Sequence, residues 1–192
     1  KRQVFGYMNL FEFLMILLSL IVGLGLAEIL SGLGNFLKRN GMLEFRWTHG
    51  AVTLTVFLAL LQIFWESWGL RTVETWSFPA MLLMLGSPIL LYLLAHILFP
   101  DREESVSLDD YYFARARLIW PLAGLTAMVG TLFRPIALGQ PLWAIDNASA
   151  IPILVVCILL SITKARMVHR ILVPIVLLSV ILDTMTFSHS IG

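Results

Sequence analysis

Charge is what this chain has least of: only 13% of its 192 residues are charged, against 59% hydrophobic, and the formal net charge is +1. A balance so small and so even gives no electrostatic footprint for nucleic acid or for an acidic substrate. Uninterrupted polar sequence is equally scarce. The longest such stretch, from Pro100 to about Asp110, is a loop in length and leaves no room for a soluble domain. The one cysteine, Cys157, has no partner for an internal disulfide, and within Leu-Val-Val-Cys-Ile-Leu-Leu it reads as a small core residue. There is no Gly-rich phosphate loop, no Cys-x-x-Cys and no His-Glu-x-x-His. Gly86-Ser87 lacks the context of a serine nucleophile and is followed by Pro88, so it reads as a kink with a local hydroxyl. No lysine lies within an apolar run, which excludes a retinal-type Schiff base, and no catalytic residue is assigned.

What is present is long apolar sequence, with a mean hydropathy of +0.89. A helix crossing the hydrocarbon core needs ~20 apolar residues. Six segments qualify or come close: about residues 8–37, 47–70, 78–99, 112–133, 148–163 and 171–191, the fifth being short. The expectation is an all-α, polytopic bundle forming a single transmembrane domain over residues 1–192. The first segment is too long for the core of a cleaved signal peptide. Ser107-Leu-Asp-Asp110 has capping-box spacing and predicts a helix start. Pro79 opens the third segment and Pro174 the sixth, while Pro88 is expected to kink the third.

Counted on alternate sides, lysine and arginine are unevenly shared. Lys38, Arg39, Arg46, Arg102, Arg115, Arg117, Lys164, Arg166 and Arg170 fall on one side, and Lys1, Arg2, Arg71 and Arg134 on the other. The positive-inside rule puts the richer side in the cytoplasm and both termini outside, as in a bacterial inner membrane. Trp47, Trp65, Trp68, Trp76 and Trp143 fall near segment ends, where an interfacial belt belongs. Asn147-Ala148-Ser149 is a sequon too close to a span to carry weight.

Ionisable groups inside apolar spans are costly and by default mark a pathway, a site or a buried contact. Glu12 lies near the outer end of the first segment. On the second, Thr55, Gln62 and Glu66 share a helical face, and on the sixth Ser179, Asp183, Thr186 and Ser190 form another stripe. If these faces converge, three carboxylates line one cavity and can share a proton or hold a cation, with Arg71 and Arg134 placed to neutralise part of the charge. The plainer alternative puts Glu12 and Glu66 in the headgroup region and gives Asp183 a helix-to-helix hydrogen bond.

At the other end, Glu28 sits on a Gly25, Glu28, Gly32, Asn35 face. His49 and His96 lie at matching depth on successive spans, candidates for a metal or a haem with Glu28 as third ligand, against interfacial packing as the plain reading. Glu12 and Glu28 fall on nearly opposite faces of one helix, which opposes a simple relay. A row of small residues, Ser19, Gly23, Ala27 and Ser31, suits close helix packing against another span, a second copy or a partner protein, with packing inside the molecule favoured.

Three readings follow. The first is a small transporter or channel for protons or cations, with Asp183, Glu66, Gln62, Glu12, Thr186 and Glu28 along the pathway. The second is a non-catalytic subunit, scaffold or sensor, and the third a metal, haem or redox protein using His49 and His96.

Overall fold

The computed structural model describes residues 9–38, 47–73, 75–100, 107–142 and 150–187. Among them are six helices and no strand: α1 (Leu10–Lys38), α2 (Trp47–Ser67), α3 (Phe78–Ile97), α4 (Leu108–Leu138), α5 (Ala150–Ile162) and α6 (Arg166–Phe187). A short 3-10 turn, Trp68–Thr72, extends α2. Five helices are long and apolar enough to cross a membrane, all but α5. The 13 residues of α5 reach ~20 Å at helical rise, short of the ~30 Å hydrocarbon core. Leucine and isoleucine stand exposed along the outer faces, among them Leu20, Leu24, Leu30, Ile158, Ile175 and Leu182. Such a surface belongs against lipid, and the chain is an integral membrane protein.

Local chemistry starts and stops the helices where side chains satisfy backbone groups that the helix leaves open. The Ser107 side chain accepts from the Asp110 amide at 3.2 Å and donates to Asp110 Oδ2 at 2.7 Å, so Ser107 caps α4 where the spacing places a helix start. Ser77 accepts from the Ala80 amide at 3.3 Å, with Pro79 in the first turn of α3. Gly139, at φ 64°, closes α4 by donating to the Pro135 carbonyl. Only glycine adopts that left-handed conformation without penalty.

Two helices exceed their apolar runs. α4 continues past residue 133 through Arg134 to Leu138, and α6 begins at Arg166, so that Pro174 is internal and does not open the helix. The reason is the same at both ends: the charged residues that resemble loop sequence are paired across helices, as described below. α3 runs unbroken through Pro88.

Hydrogen bonds between helix ends give the up-and-down order. His49, at the start of α2, meets the Leu98 carbonyl just past α3. Tyr111, at the start of α4, reaches the Ile97 and Phe99 carbonyls. Arg166, at the start of α6, meets Asp110 at the start of α4. Thus α2, α4 and α6 run parallel, with α3 antiparallel to them.

α3 packs most extensively on α4, α4 on α5, α1 on α3 and α2 on α6, whereas α2 and α4 barely touch. On α1 the buried stripe is Leu14, Leu18, Val22, Gly25, Ile29 and Gly32, a helical period. A Cβ at Gly25 would lie 2.9 Å from the Leu60 side chain, and one at Gly32 would collide with the Phe99 ring. That glycine face is therefore filled by neighbouring helices. The Ser19, Gly23, Ala27, Ser31 row is exposed along its whole length, and nothing lies within 4 Å of a Cβ at Gly23. The expected packing of this row inside the molecule is overturned. α1 turns the opposite face inward, where Gly25 and Gly32 let Leu60 and Phe99 come close.

Candidate functional site

The stripes of the second and sixth segments do meet. α2 and α6 lie side by side, and the Gln62 amide bridges them. Its Nε2 donates to Glu66 Oε1 at 2.8 Å, one turn along α2, and to Asp183 Oδ2 at 2.7 Å on α6. Its Oε1 accepts from the Thr184 hydroxyl at 3.0 Å. An amide nitrogen has two hydrogens, and here each goes to a carboxylate, so Gln62 spaces the two acids and orients both. Arg134 of α4 brings a guanidinium nitrogen to 3.9 Å from Glu66 Oε2, with both side chains about one-third exposed. Charges held in such partial exposure are screened less than surface pairs.

This polar group forms one end of a cavity of about 520 Å³ between α2, α3, α4, α5 and α6. Gln62, Glu66, Arg134 and Asp183 line that end, and the walls run past Thr55, Ser87, Thr126 and Gly130 to Leu94, Ile119 and Trp120. Ile119 and Arg134 are fifteen residues apart, or ~22 Å along a helix. Small residues are part of the lining on both α2 and α4: Ala59 on one, Ala123, Ala127 and Gly130 on the other. The hydroxyls along the wall are turned to main-chain carbonyls. Thr55 donates to Ala51, Thr126 to Leu122, and Ser87 to Thr126 on the next helix. Cys157 also lines the cavity and is buried, in keeping with its apolar surroundings.

The remaining expected site residues fall elsewhere. Glu12 is the acid of a reciprocal cap: Asn9 Oδ1 accepts from the Glu12 amide at 2.8 Å, and Glu12 Oε2 accepts from the Asn9 amide at 3.1 Å. It does not line the cavity, because the first turn of α1 needs it. Ser179 bonds the Val176 carbonyl. The Thr186 side chain, Ser190, Trp143, the sequon at Asn147 and most of the Pro100–Asp110 loop lie outside the described residues. Arg71 stays with its own turn, donating to the Trp68 carbonyl and covering the Trp68 ring.

The two histidines have separate partners. His49 is buried and donates from Nε2 to the Leu98 carbonyl at 2.8 Å. His96 is exposed, with Nδ1 3.3 Å from Glu28 Oε1 and its ring stacked near Tyr92. Among the described residues there is no group of three or more His, Cys, Asp or Glu side chains able to hold a metal.

A third histidine, which no sequence pattern singles out, anchors that end. His169 is fully buried. Trp120 Nε1 donates to the Tyr112 hydroxyl at 3.0 Å, and that hydroxyl lies 2.7 Å from His169 Nδ1. His169 Nε2 lies 3.2 Å from the Thr163 carbonyl. A carbonyl only accepts, so Nε2 carries the proton, Nδ1 accepts from Tyr112, and donation runs one way along the chain. Beside it, Arg166 pairs with Asp110 at 2.7 Å and Arg170 with Asp109 at 4.0 Å. The Asp109 side chain is only 3% exposed, and neither of its oxygens has a hydrogen-bond partner among the described residues. His169 is hidden in the sequence because the polar run from Thr163 to Arg170 has the composition of a loop.

No protein-family model, no curated protein and no solved structure matches the chain. Its chemistry is argued from its own residues.

Proposed function

We propose that the chain is a small membrane transporter or channel for protons or cations, with Glu66 and Asp183 as its acidic site. The observation that carries this reading is the Gln62 amide holding two carboxylates from different helices at the polar end of an intramembrane cavity. Such carboxylates are expensive in lipid and serve as exchangeable sites for positive charge. Thr184 and Arg134 complete the group, and Thr186 is assigned to the same pathway. Counted over six spans, the short α5 included, the distribution of lysine and arginine favours both termini on the outer face of a bacterial inner membrane. The acidic site then faces outward.

The test is cation and proton flux into proteoliposomes. Flux is expected in the unaltered protein and a loss of tenfold or more in the double variant Glu66→Gln, Asp183→Asn. Flux unaffected by both substitutions refutes the assignment.

A second reading draws on the exposed Ser19, Gly23, Ala27, Ser31 row, which suits close approach by a second copy or another membrane protein. On that reading the chain is a non-catalytic subunit, scaffold or sensor. Gly23→Cys in a Cys157→Ser background is expected to cross-link in native membranes. A protein that stays monomeric there argues against a partner on this face. The metal or haem reading of His49, His96 and Glu28 gains no support, since each histidine ring engages a different partner.

A further inference from the structure

Resting on the proposed cation site, we infer that the cavity accepts a lipophilic organic monocation, with its charge at the carboxylates and its apolar body along the helices toward Trp120. Three observations converge. Among the described residues, the charged ones lining the cavity are Glu66, Asp183 and Arg134, two acids and one base, all at one end. The rest of the wall is mostly aliphatic, aromatic or small, with Val56, Leu91, Ile119, Trp120, Phe133 and Val176 among its residues, and its Thr55, Ser87 and Thr126 hydroxyls are turned to main-chain carbonyls. The volume, about 520 Å³, falls within the ~300–1,000 Å³ of small-molecule sites.

A bare inorganic cation fits this space poorly. Calcium and magnesium want about six or more oxygens around one point. Here the two carboxylates offer four oxygens, of which Glu66 Oε1 and Asp183 Oδ2 already accept from the Gln62 amide, and the hydroxyls are scattered along the wall and turned to Ala51, Leu122 and Thr126. An apolar passage of this length also opposes a hydrated ion, since such walls favour dewetting. A proton needs no such volume. An organic cation uses both halves: a carboxylate pair in a medium of low dielectric attracts its charge, and the apolar wall receives what it carries. Trp120 and Phe133 add aromatic surface to that wall.

The experiment is equilibrium binding of radiolabelled tetraphenylphosphonium to the purified full chain in lipid nanodiscs, with tetraphenylborate as a probe of matched size and opposite charge. Saturable binding of the phosphonium alone is expected. It should weaken tenfold or more in Glu66→Gln, in Asp183→Asn and in Ala127→Phe, which fills the cavity and leaves both acids in place. Each variant is checked for a monodisperse profile and helical content, and a misfolded one is replaced by Gly130→Leu. No saturable phosphonium binding, or equal binding of the borate, overturns the inference. Proton and potassium flux measured on the same preparations separates the two proposals. Acid-dependent flux without phosphonium binding retains the transport reading and removes this one. Phosphonium binding that needs both acids, without flux of any cation, does the reverse.

Discussion

Removing one oxygen atom should loosen the base of the bundle. In Tyr112→Phe the ring that packs against Phe113 and His169 keeps its shape, so no sizeable cavity term arises. What disappears is the hydroxyl that accepts from Trp120 and donates to His169. Hydrogen bonds between membrane helices average ~0.6 kcal/mol and reach ~1.7. The substitution also strands the Trp120 N–H and the His169 Nδ1 in a site where His169 is fully buried, and each stranded group costs ~1–3 kcal/mol. A destabilisation of about 2 kcal/mol, within ~1–4, is the balance of these effects. The assay is reversible unfolding in mixed micelles followed by far-ultraviolet circular dichroism. Trp120→Phe should destabilise as well, and the double variant should lose less than the sum, with a coupling of ~0.5–3 kcal/mol, because both act through the same hydroxyl. A Tyr112→Phe protein within ~0.3 kcal/mol of wild type, or strict additivity, would refute this account.

Gly32→Ala should destabilise by ~1–3 kcal/mol through overpacking, since its Cβ runs into the Phe99 ring; Gly23→Ala, with open space around it, should leave unfolding unchanged. Adding Phe99→Leu to Gly32→Ala should recover part of the loss in the same unfolding assay. Ser107→Ala removes the cap on α4 and is expected to lower stability by ~1 kcal/mol. Glu12→Gln should weaken the α1 cap slightly and leave liposome flux intact, because Glu12 bonds Asn9 and stands away from the cavity; a flux defect in a stable Glu12→Gln protein would return it to the pathway.

Much of this architecture is legible in the sequence, and the gaps have a common cause. Apolar runs locate helices because lipid imposes the same requirement everywhere along a span. Periodicity then says which residues share a face, and it places Gln62 with Glu66 on one stripe and Asp183 on another. It does not say what covers a face. That is why the small-residue row of α1 reads as internal and is exposed, while the opposite face, with Gly25 and Gly32, is the packed one. Helix ends mislead for a related reason. Arg134, Arg166 and Arg170 resemble loop residues until their acids, Glu66, Asp110 and Asp109, are supplied by other helices. Depth alone groups Glu12 with the site; its true partner, Asn9, stands three residues away in the chain, and the pair is recognisable there as two halves of a cap.

The arginine pairs at the start of α6 bear on how the chain is made. Helix N-termini carry partial positive charge and repel cations, yet the first turns of α6 contain Arg166 and Arg170, and its first turn has no acid of its own. The neutralising groups are Asp110 and Asp109, at the start of α4. The beginning of α6 is thus better stabilised where α4 already stands. Synthesis runs from the N-terminus, so α4 emerges before α6 and waits as a template for it. A chain inserting in this order docks α6 after α4, and the cavity wall that carries Asp183 arrives after the wall that carries Arg134.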